Sequence, residues 1–330
     1  MQLPPALRQA IDRELDGIAL ADLAKAAETL SRRYRAETRD GRFHLNDQLT
    51  ARAYLTTRMP ATYAAIAASF AAAMEALPDF HPRSVLDVGA GPGTATWAAS
   101  SMWGSIADVS LIEASPAIRA VGERLSTSLS LDRVAWRAEL VGDGLRDLNQ
   151  ADLVVMAYVL DELDPPTRAP LIARLWDLTG HTLAIVEPGT TEGWKRILAA
   201  RDQLIGMGAQ ILAPCPHARP CPLSAPDWCH FSARVARSRL HRQAKGGSVP
   251  WEDEKFIYLA ASRHARVRSL PRVLAPPQVS KAGVALKLCE PDGALALRTI
   301  ARRDGDAFKI TRKLGWGDEL PPPRHARPRP

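Results

Sequence analysis

Up to about residue 80 the apolar positions recur at three- and four-residue intervals, and after residue 84 they gather into short runs separated by further helical stretches. The first pattern predicts helices. "PALRQAIDREL" opens on prolines, which a first helical turn accepts because its N–H groups have no partner there. "ALADLAKAAETLSRRYRAE" and "NDQLTARAYLTTRM" follow, the latter with Asn46 as the expected N-cap. The alanine-rich stretch Ala61–Leu77 reads as a buried helix that ends before "PDFHPR". The second pattern predicts strands at "SVLDV", "DVSLIE", "RVAWRA", "DLVVMAY" and "TLAIVE", with "KFIYLAASR" as a sixth. Helices are expected between them at "SPAIRAVGERLSTSL" and "PPTRAPLIARLWDLT". Strands alternating with helices imply an α/β fold on a parallel, doubly wound sheet. From Gly283 to Lys313 an alternating pattern is broken at "PDG" and "RDGD", which predicts a small antiparallel meander.

These patterns divide the chain into four parts. Residues 1–80 form a helical region. Residues 81–265 form the α/β domain, with an insertion at about 205–250. Residues 266–320 hold the β meander, and 321–330 are a basic, proline-rich tail expected to be disordered.

Composition adds a partner class. The 330 residues are 46% hydrophobic, as in ordinary globular proteins. No apolar run reaches the roughly 18 residues that a membrane helix needs. "MQLPPALRQAIDREL" lacks the charged start and apolar core of a secretory signal, so the default location is the cytoplasm. Lys plus Arg number 43 against 36 acids, a net charge of +7, and most of the cations are arginine. Arginine forks match phosphate oxygens, so this balance suits a nucleic-acid partner, and it equally suits an ordinary basic enzyme that binds nothing anionic. The excess is concentrated between Arg234 and Arg272 and in the tail.

The sharpest motif is "VLDVGAGPGTATWAA". Asp87 ends a strand, Gly89, Gly91 and Gly93 follow, and a helix begins. Glycines let the backbone turn tightly beside a ligand, and the helix N-terminus supplies N–H donors. A dinucleotide site wants G-x-G-x-x-G, but the third position counted from Gly89 is Thr94. D-x-G-x-G-x-G instead resembles the first motif of class I S-adenosylmethionine-dependent methyltransferases. Glu113 ends the next strand 20 residues past Gly93, where such enzymes hold ribose hydroxyls. Asp161–Glu162 follows the fourth strand, either at the substrate mouth or as a helix-capping pair, and "VEPG" ends the fifth. Asp164-Pro165-Pro166-Thr167 reads as a helix start rather than an amino-methylating box. Methyl transfer needs alignment more than acid–base help, so no catalytic residue is assigned.

Three of the four cysteines crowd into "CPHARPCPLSAPDWC" as C-x5-C-x7-C, and 59 residues separate Cys229 from Cys289. Thiolate groups bind soft metals. The spacing is looser than the tight pairs of structural zinc, and from spacing alone an iron–sulfur cluster, a zinc ion and free thiols all stay open. His217 and His230 are near enough to be alternative ligands, though solvated loop histidines are the simpler reading.

Taken in order, the glycine loop, "APCPHARPCPLSAPDWCHFSARVAR", "KFIYLAASR", "LKLCEPDG" and "KLGWGDELPP" resemble the methyltransferase-like proteins of the mitochondrial small ribosomal subunit and their bacterial relatives. The resemblance runs from about Arg58 to Leu320. It implies a class I methyltransferase fold, S-adenosylmethionine as cofactor and a role in small-subunit assembly with rRNA as partner. It also implies a 4Fe–4S cluster on Cys215, Cys221, Cys229 and Cys289, which would fix the adjacent arginines for rRNA phosphates. The bacterial type fits the expected location better. A non-catalytic assembly factor is one alternative, and a zinc-stapled methyltransferase for a non-RNA substrate is another.

Overall fold

A computed structural model describes residues 2–35, 45, 47–142, 144–245 and 247–322. Four helices come first: α1 (Pro5–Leu15), α2 (Leu20–Arg35), α3 (Gln48–Thr57) and α4 (Met59–Ala76). The expected cap Asn46 lies outside the described residues. Asp47 is the N-cap of α3, and its carboxylate accepts from the Thr50 N–H at 2.8 Å. Helix α4 is apolar all round, and it is buried against α5 and β8.

The α/β part runs β1 (Ser84–Val88), α5 (Thr94–Met102), β2 (Asp108–Ile112), α6 (Pro116–Ser126), β3 (Arg133–Arg137), β4 (Ala151–Ala157), α7 (Pro165–Asp177), β5 (Thr179–Pro188), α8 (Thr191–Gly206), β6 (Gln210–Ala213), β7 (Phe231–Ala236), α9 (Arg239–Ala244) and β8 (Trp251–Ser262). The strand order is β3-β2-β1-β4-β5-β8-β6, with β7 also on β8. Strands β1 to β5 pair in parallel, and β8 runs antiparallel to β5, β6 and β7. The order reverses at β1, whose neighbours are β2 and β4. In open α/β sheets the ligand crevice lies at that reversal, beyond the carboxyl ends of the strands.

The remaining elements are β9 (Arg272–Val273), β10 (Gln278–Val279), β11 (Gly283–Cys289), β12 (Leu295–Ala301), a 3₁₀ turn (Arg302–Asp304) and α10 (Asp306–Thr311). Strands β11 and β12 form the expected hairpin around "PDG", with β10 and β9 on the other edge of β11. The segment after "RDGD" is a helix, not a third meander strand. Asp304 accepts from the Ala301 N–H at 2.8 Å and turns the chain. Phe308 and Leu314 then pack on a small core of Val273, Val284, Leu286, Leu288 and Leu320.

The basic stretch after Cys229 continues the large sheet. It forms edge strand β7 and the short helix α9, and its cations face acids on β8. Arg234 pairs with Asp253 at 2.8 Å, while Arg237 and Lys245 both reach Glu252 at 2.9 Å.

Candidate cofactor cavity and cysteine site

The turn after β1 opens into a cavity of about 1560 Å³. Asp87, Gly89, Gly91 and Glu113 line it, as do Tyr158, Asp161 and Glu162 beyond β4. Helices α2, α3 and α4 roof it with Tyr34, Tyr54 and Arg58. Gly89 and Gly91 both have positive φ, +68° and +55°. A Cβ on Gly89 would stand 2.4 Å from Val159 Cγ2, whereas one on Gly91 would meet nothing within 4 Å. The first glycine is therefore needed for packing, and the second leaves room above the loop. Gly93 does not line the cavity. It is the N-cap of α5, facing Leu111 and Trp136.

The two expected acids have different surroundings. Asp87 is 2% exposed and accepts from the Thr96 N–H at 3.0 Å and from the Thr96 hydroxyl at 2.9 Å. It thus binds the first turn of α5 to the end of β1. Burial pushes its carboxyl up to about 7 against those two hydrogen bonds. Glu113 spans the mouth of the loop, accepting from Gly91 N at 2.9 Å and Ser115 N at 2.7 Å. Burial raises its pKa as well.

Asp161 and Glu162 do not cap α7, whose N-cap is Asp164. The helix start expected at "DPPT" is where the structure has it. Glu187, inside the "VEPG" segment, was not singled out in the sequence, yet it ties two lips of the cavity together. It accepts from Leu160 N at 3.0 Å and from Arg196 Nε at 2.8 Å, fully buried at the end of β5. Burial and nearby Asp161 raise its pKa, opposed by Arg196. The signal in the sequence was an acid closing an otherwise apolar strand.

The four cysteines line a second, small and largely apolar cavity. Cys215 follows β6, Cys221 and Cys229 lie in the loop before β7, and Cys289 ends β11. Burial pushes all four thiols up, Cys289 to about 12. Among the described residues no three His, Cys, Asp or Glu side chains are grouped closely enough to share one metal ion. His217 is buried rather than solvated, its Nε2 3.2 Å from Cys289 Sγ. His230 is stacked on Trp228 and edge-on to Trp316.

Two arginines, each 1% exposed, hold this region. Arg201 of α8 lines the cysteine cavity and donates to the carbonyls of His217 at 2.9 Å and Arg219 at 2.6 Å. Its carboxylate partner, Asp202, is 70% exposed, and its Nε finds no acceptor among the described residues. Arg272 donates to the carbonyls of Pro214 at 3.1 Å and Gly317 at 2.8 Å, and pairs with Glu319 at 2.9 Å. The "WGD" segment is thereby fastened to the residue that precedes Cys215.

The strand order, the reversed β8 and a glycine turn opening into a cavity at the carboxyl edge define a class I methyltransferase-like protein. Within that class, the chain belongs to the family described as mitochondrial small ribosomal subunit Rsm22, whose model matches residues 48–321. The human "Ribosome assembly protein METTL17, mitochondrial" is 31% identical over 290 residues, covering 81% of this chain and 62% of that protein. "Rsm22-cox11 tandem protein 2, mitochondrial" of Schizosaccharomyces pombe is 24% identical over 321 residues, covering 82% and 43%. The chain therefore spans less than two thirds of either relative. Among solved structures, an O-methyltransferase family protein from Burkholderia thailandensis has a TM-score of 0.46 at 11% identity, covering 74% of this chain and 71% of its own. Magnesium protoporphyrin IX methyltransferase from Synechocystis, with bound SAM, has a TM-score of 0.40 at 14% identity, covering 76% and 99%. Among the described residues no helix is long and apolar enough to cross a membrane.

Proposed function

We propose that the chain is an assembly protein of the small ribosomal subunit that binds rRNA, holds S-adenosylmethionine in the large cavity and carries a 4Fe–4S cluster on Cys215, Cys221, Cys229 and Cys289. The carrying observation is the wall of the small cavity, where four cysteines from two stretches of chain, the β6–β7 loop and the end of β11, meet the buried guanidinium of Arg201. A buried cation beside neutral thiols is costly, and it is favourable beside an anionic group. Four thiolates on a cluster make such a group.

The donor set fits iron–sulfur chemistry, which uses four thiolates. Structural zinc can also take four thiolates, so metal and sulfide analysis distinguishes the two. When bound, the cluster would supply iron–thiolate bonds that couple metal binding to folding of the proline-rich loop. Arg201 and Arg272 hold that loop by its carbonyls, and Cys289 joins it to the small sheet.

In the large cavity the open face of Gly91 and the carboxylate of Glu113 are suited to a ribose-bearing cofactor. The human relative is named a ribosome assembly protein, the yeast relative carries the family's Rsm22 name, and both are mitochondrial. We place this chain wherever its own small subunit is assembled, the cytoplasm in a bacterium. Binding is the function assigned. Methyl transfer to rRNA is the second reading, favoured by the retained glycine turn and Glu113.

The test is metal and sulfide analysis of anaerobically purified protein, with calorimetry for S-adenosylmethionine. Iron and acid-labile sulfide in equal amounts and a measurable cofactor heat support the reading. Stoichiometric zinc without sulfide overturns the cluster, and no cofactor heat overturns the large-cavity assignment.

A further inference from the structure

We propose that RNA docks on the far end of the small C-terminal sheet and the helix α10 that leaves it, through Lys281, Arg302, Arg303, Arg312 and Lys313, and not on the arginine-rich stretch after Cys229. This rests on the RNA-binding reading above and specifies the surface that carries it.

Three observations support it. First, the conspicuous basic stretch of β7 and α9 spends much of its charge internally. Arg234 is paired with Asp253, and Arg237 and Lys245 with Glu252. A paired cation has less field left for a phosphate. Second, Lys281, Arg302, Arg303, Arg312 and Lys313 are all exposed and make no ion pair among the described residues. The cations outnumber the acids beside them: Asp304 accepts from Ala301 N at 2.8 Å, and Asp306 is offset by its pair with Lys309 at 2.9 Å. The local field is therefore positive.

Third, the topology gathers these residues. Gly283 of β11 is paired with Ala301 of β12, and Arg302 N donates to Ala282 O at 3.3 Å, so Lys281, Arg302 and Arg303 share one end of the ladder. Helix α10 starts beside that end, directly after Gly305, and packs along the same hairpin over about 9 Å, so Arg312 and Lys313 lie further along it, between that end and Trp316. The ladder places this end about 20 Å from Cys289, clear of the cysteine loop. Phosphate backbone is the partner that unpaired, exposed cations fit.

The experiment measures anisotropy of a fluorescein-labelled hairpin RNA across a salt series. It compares the full chain with an Arg302→Ser/Arg303→Ser/Arg312→Ser/Lys313→Ser variant and an Arg234→Ser/Arg239→Ser control. The fourfold variant should bind roughly tenfold or more weakly at moderate salt, with a log–log salt slope shallower by about 3. Lysine replacements at the three arginines should restore most of the affinity. Because these side chains are exposed, melting of the variant should match wild type. Unchanged affinity in the fourfold variant, with loss in the control, overturns the surface while leaving RNA binding standing. No RNA binding by wild type overturns both. Displacement by polyglutamate as effective as by unlabelled RNA would assign the patch to an acidic polypeptide instead.

Discussion

The indole N–H of Trp228 donates to the carbonyl of Gly189 at 3.1 Å, joining the cysteine loop to the turn that ends β5. Gly189 lies between Pro188 and Thr190, which line the large cavity. This hydrogen bond thus links the loop that carries the cysteines to the rim of the large cavity. Trp228→Phe keeps most of the ring and removes the donor. We expect a stability loss of about 1 kcal/mol, read from the denaturation midpoint at unchanged slope.

Cys221→Ser should strip iron and sulfide together, leaving protein that is colourless when purified anaerobically. The wild type should show broad absorbance near ~400 nm from cluster charge transfer. Cys289→Ser should behave the same way although Cys289 belongs to another sheet. A variant that keeps its full iron would remove that cysteine from the ligand set.

The two glycines of the loop should separate folding from binding. Gly89→Ala places a Cβ against Val159 in a left-handed backbone, and we expect a loss of 2 kcal/mol or more, on the order of other strained core substitutions. Gly91→Ala carries only the backbone strain of about 1 kcal/mol. Gly91→Arg should abolish the calorimetric signal for S-adenosylmethionine while the protein still melts cooperatively. Unchanged affinity in Gly91→Arg would remove this glycine from the site.

Asp87 gives a pH dependence with a fixed sign. Its folded pKa, about 7, lies above the ordinary value of 3.8. Between those values the folded state binds more protons than the unfolded one, so stability falls as pH rises through this window. Asp87→Asn does not titrate, and Asn can still accept from Thr96. The wild type should therefore lose stability relative to Asp87→Asn, by up to a few kcal/mol, between about pH 4 and pH 7. Parallel stability curves for the two proteins would contradict the buried-acid assignment.

Arg201→Met tests the buried cation. It leaves two carbonyls of the cysteine loop without their donor, and we expect a cost of about 2–4 kcal/mol together with reduced iron content. Arg201→Lys should recover part of the iron. Full iron loading in both variants would limit Arg201 to a structural role.

The strands with strong apolar runs and the glycine turn were legible because local pattern and long-range packing agree there. Three cysteines were legible as a group by their spacing and Cys289 joined them through the family resemblance, and the fold brings all four to one cavity. What the sequence hid depended on partners far along the chain. Strand β7 pairs with β8, where Arg234 faces Asp253, so charge concealed an edge strand. The helix after "RDGD" follows from Asp304 turning the chain and Phe308 reaching a core shared with Val273. His217 reads as a loop residue until Cys289 arrives beside it. Arg201 and Glu187 were silent because one buried charge in a helix or strand has no local signature; only the partners identify it.

The cysteine cavity also carries information about time. Ribosomes build this chain from its N-terminus, and 59 residues must be added after Cys229 before Cys289 exists. Until β11 has paired with β9 and β12, three thiols face a wall that is missing its fourth side. A chain cut short anywhere before β11 cannot finish that wall, whatever the state of its first 229 residues. Completion of the cavity thus reports that translation has run through to the small sheet.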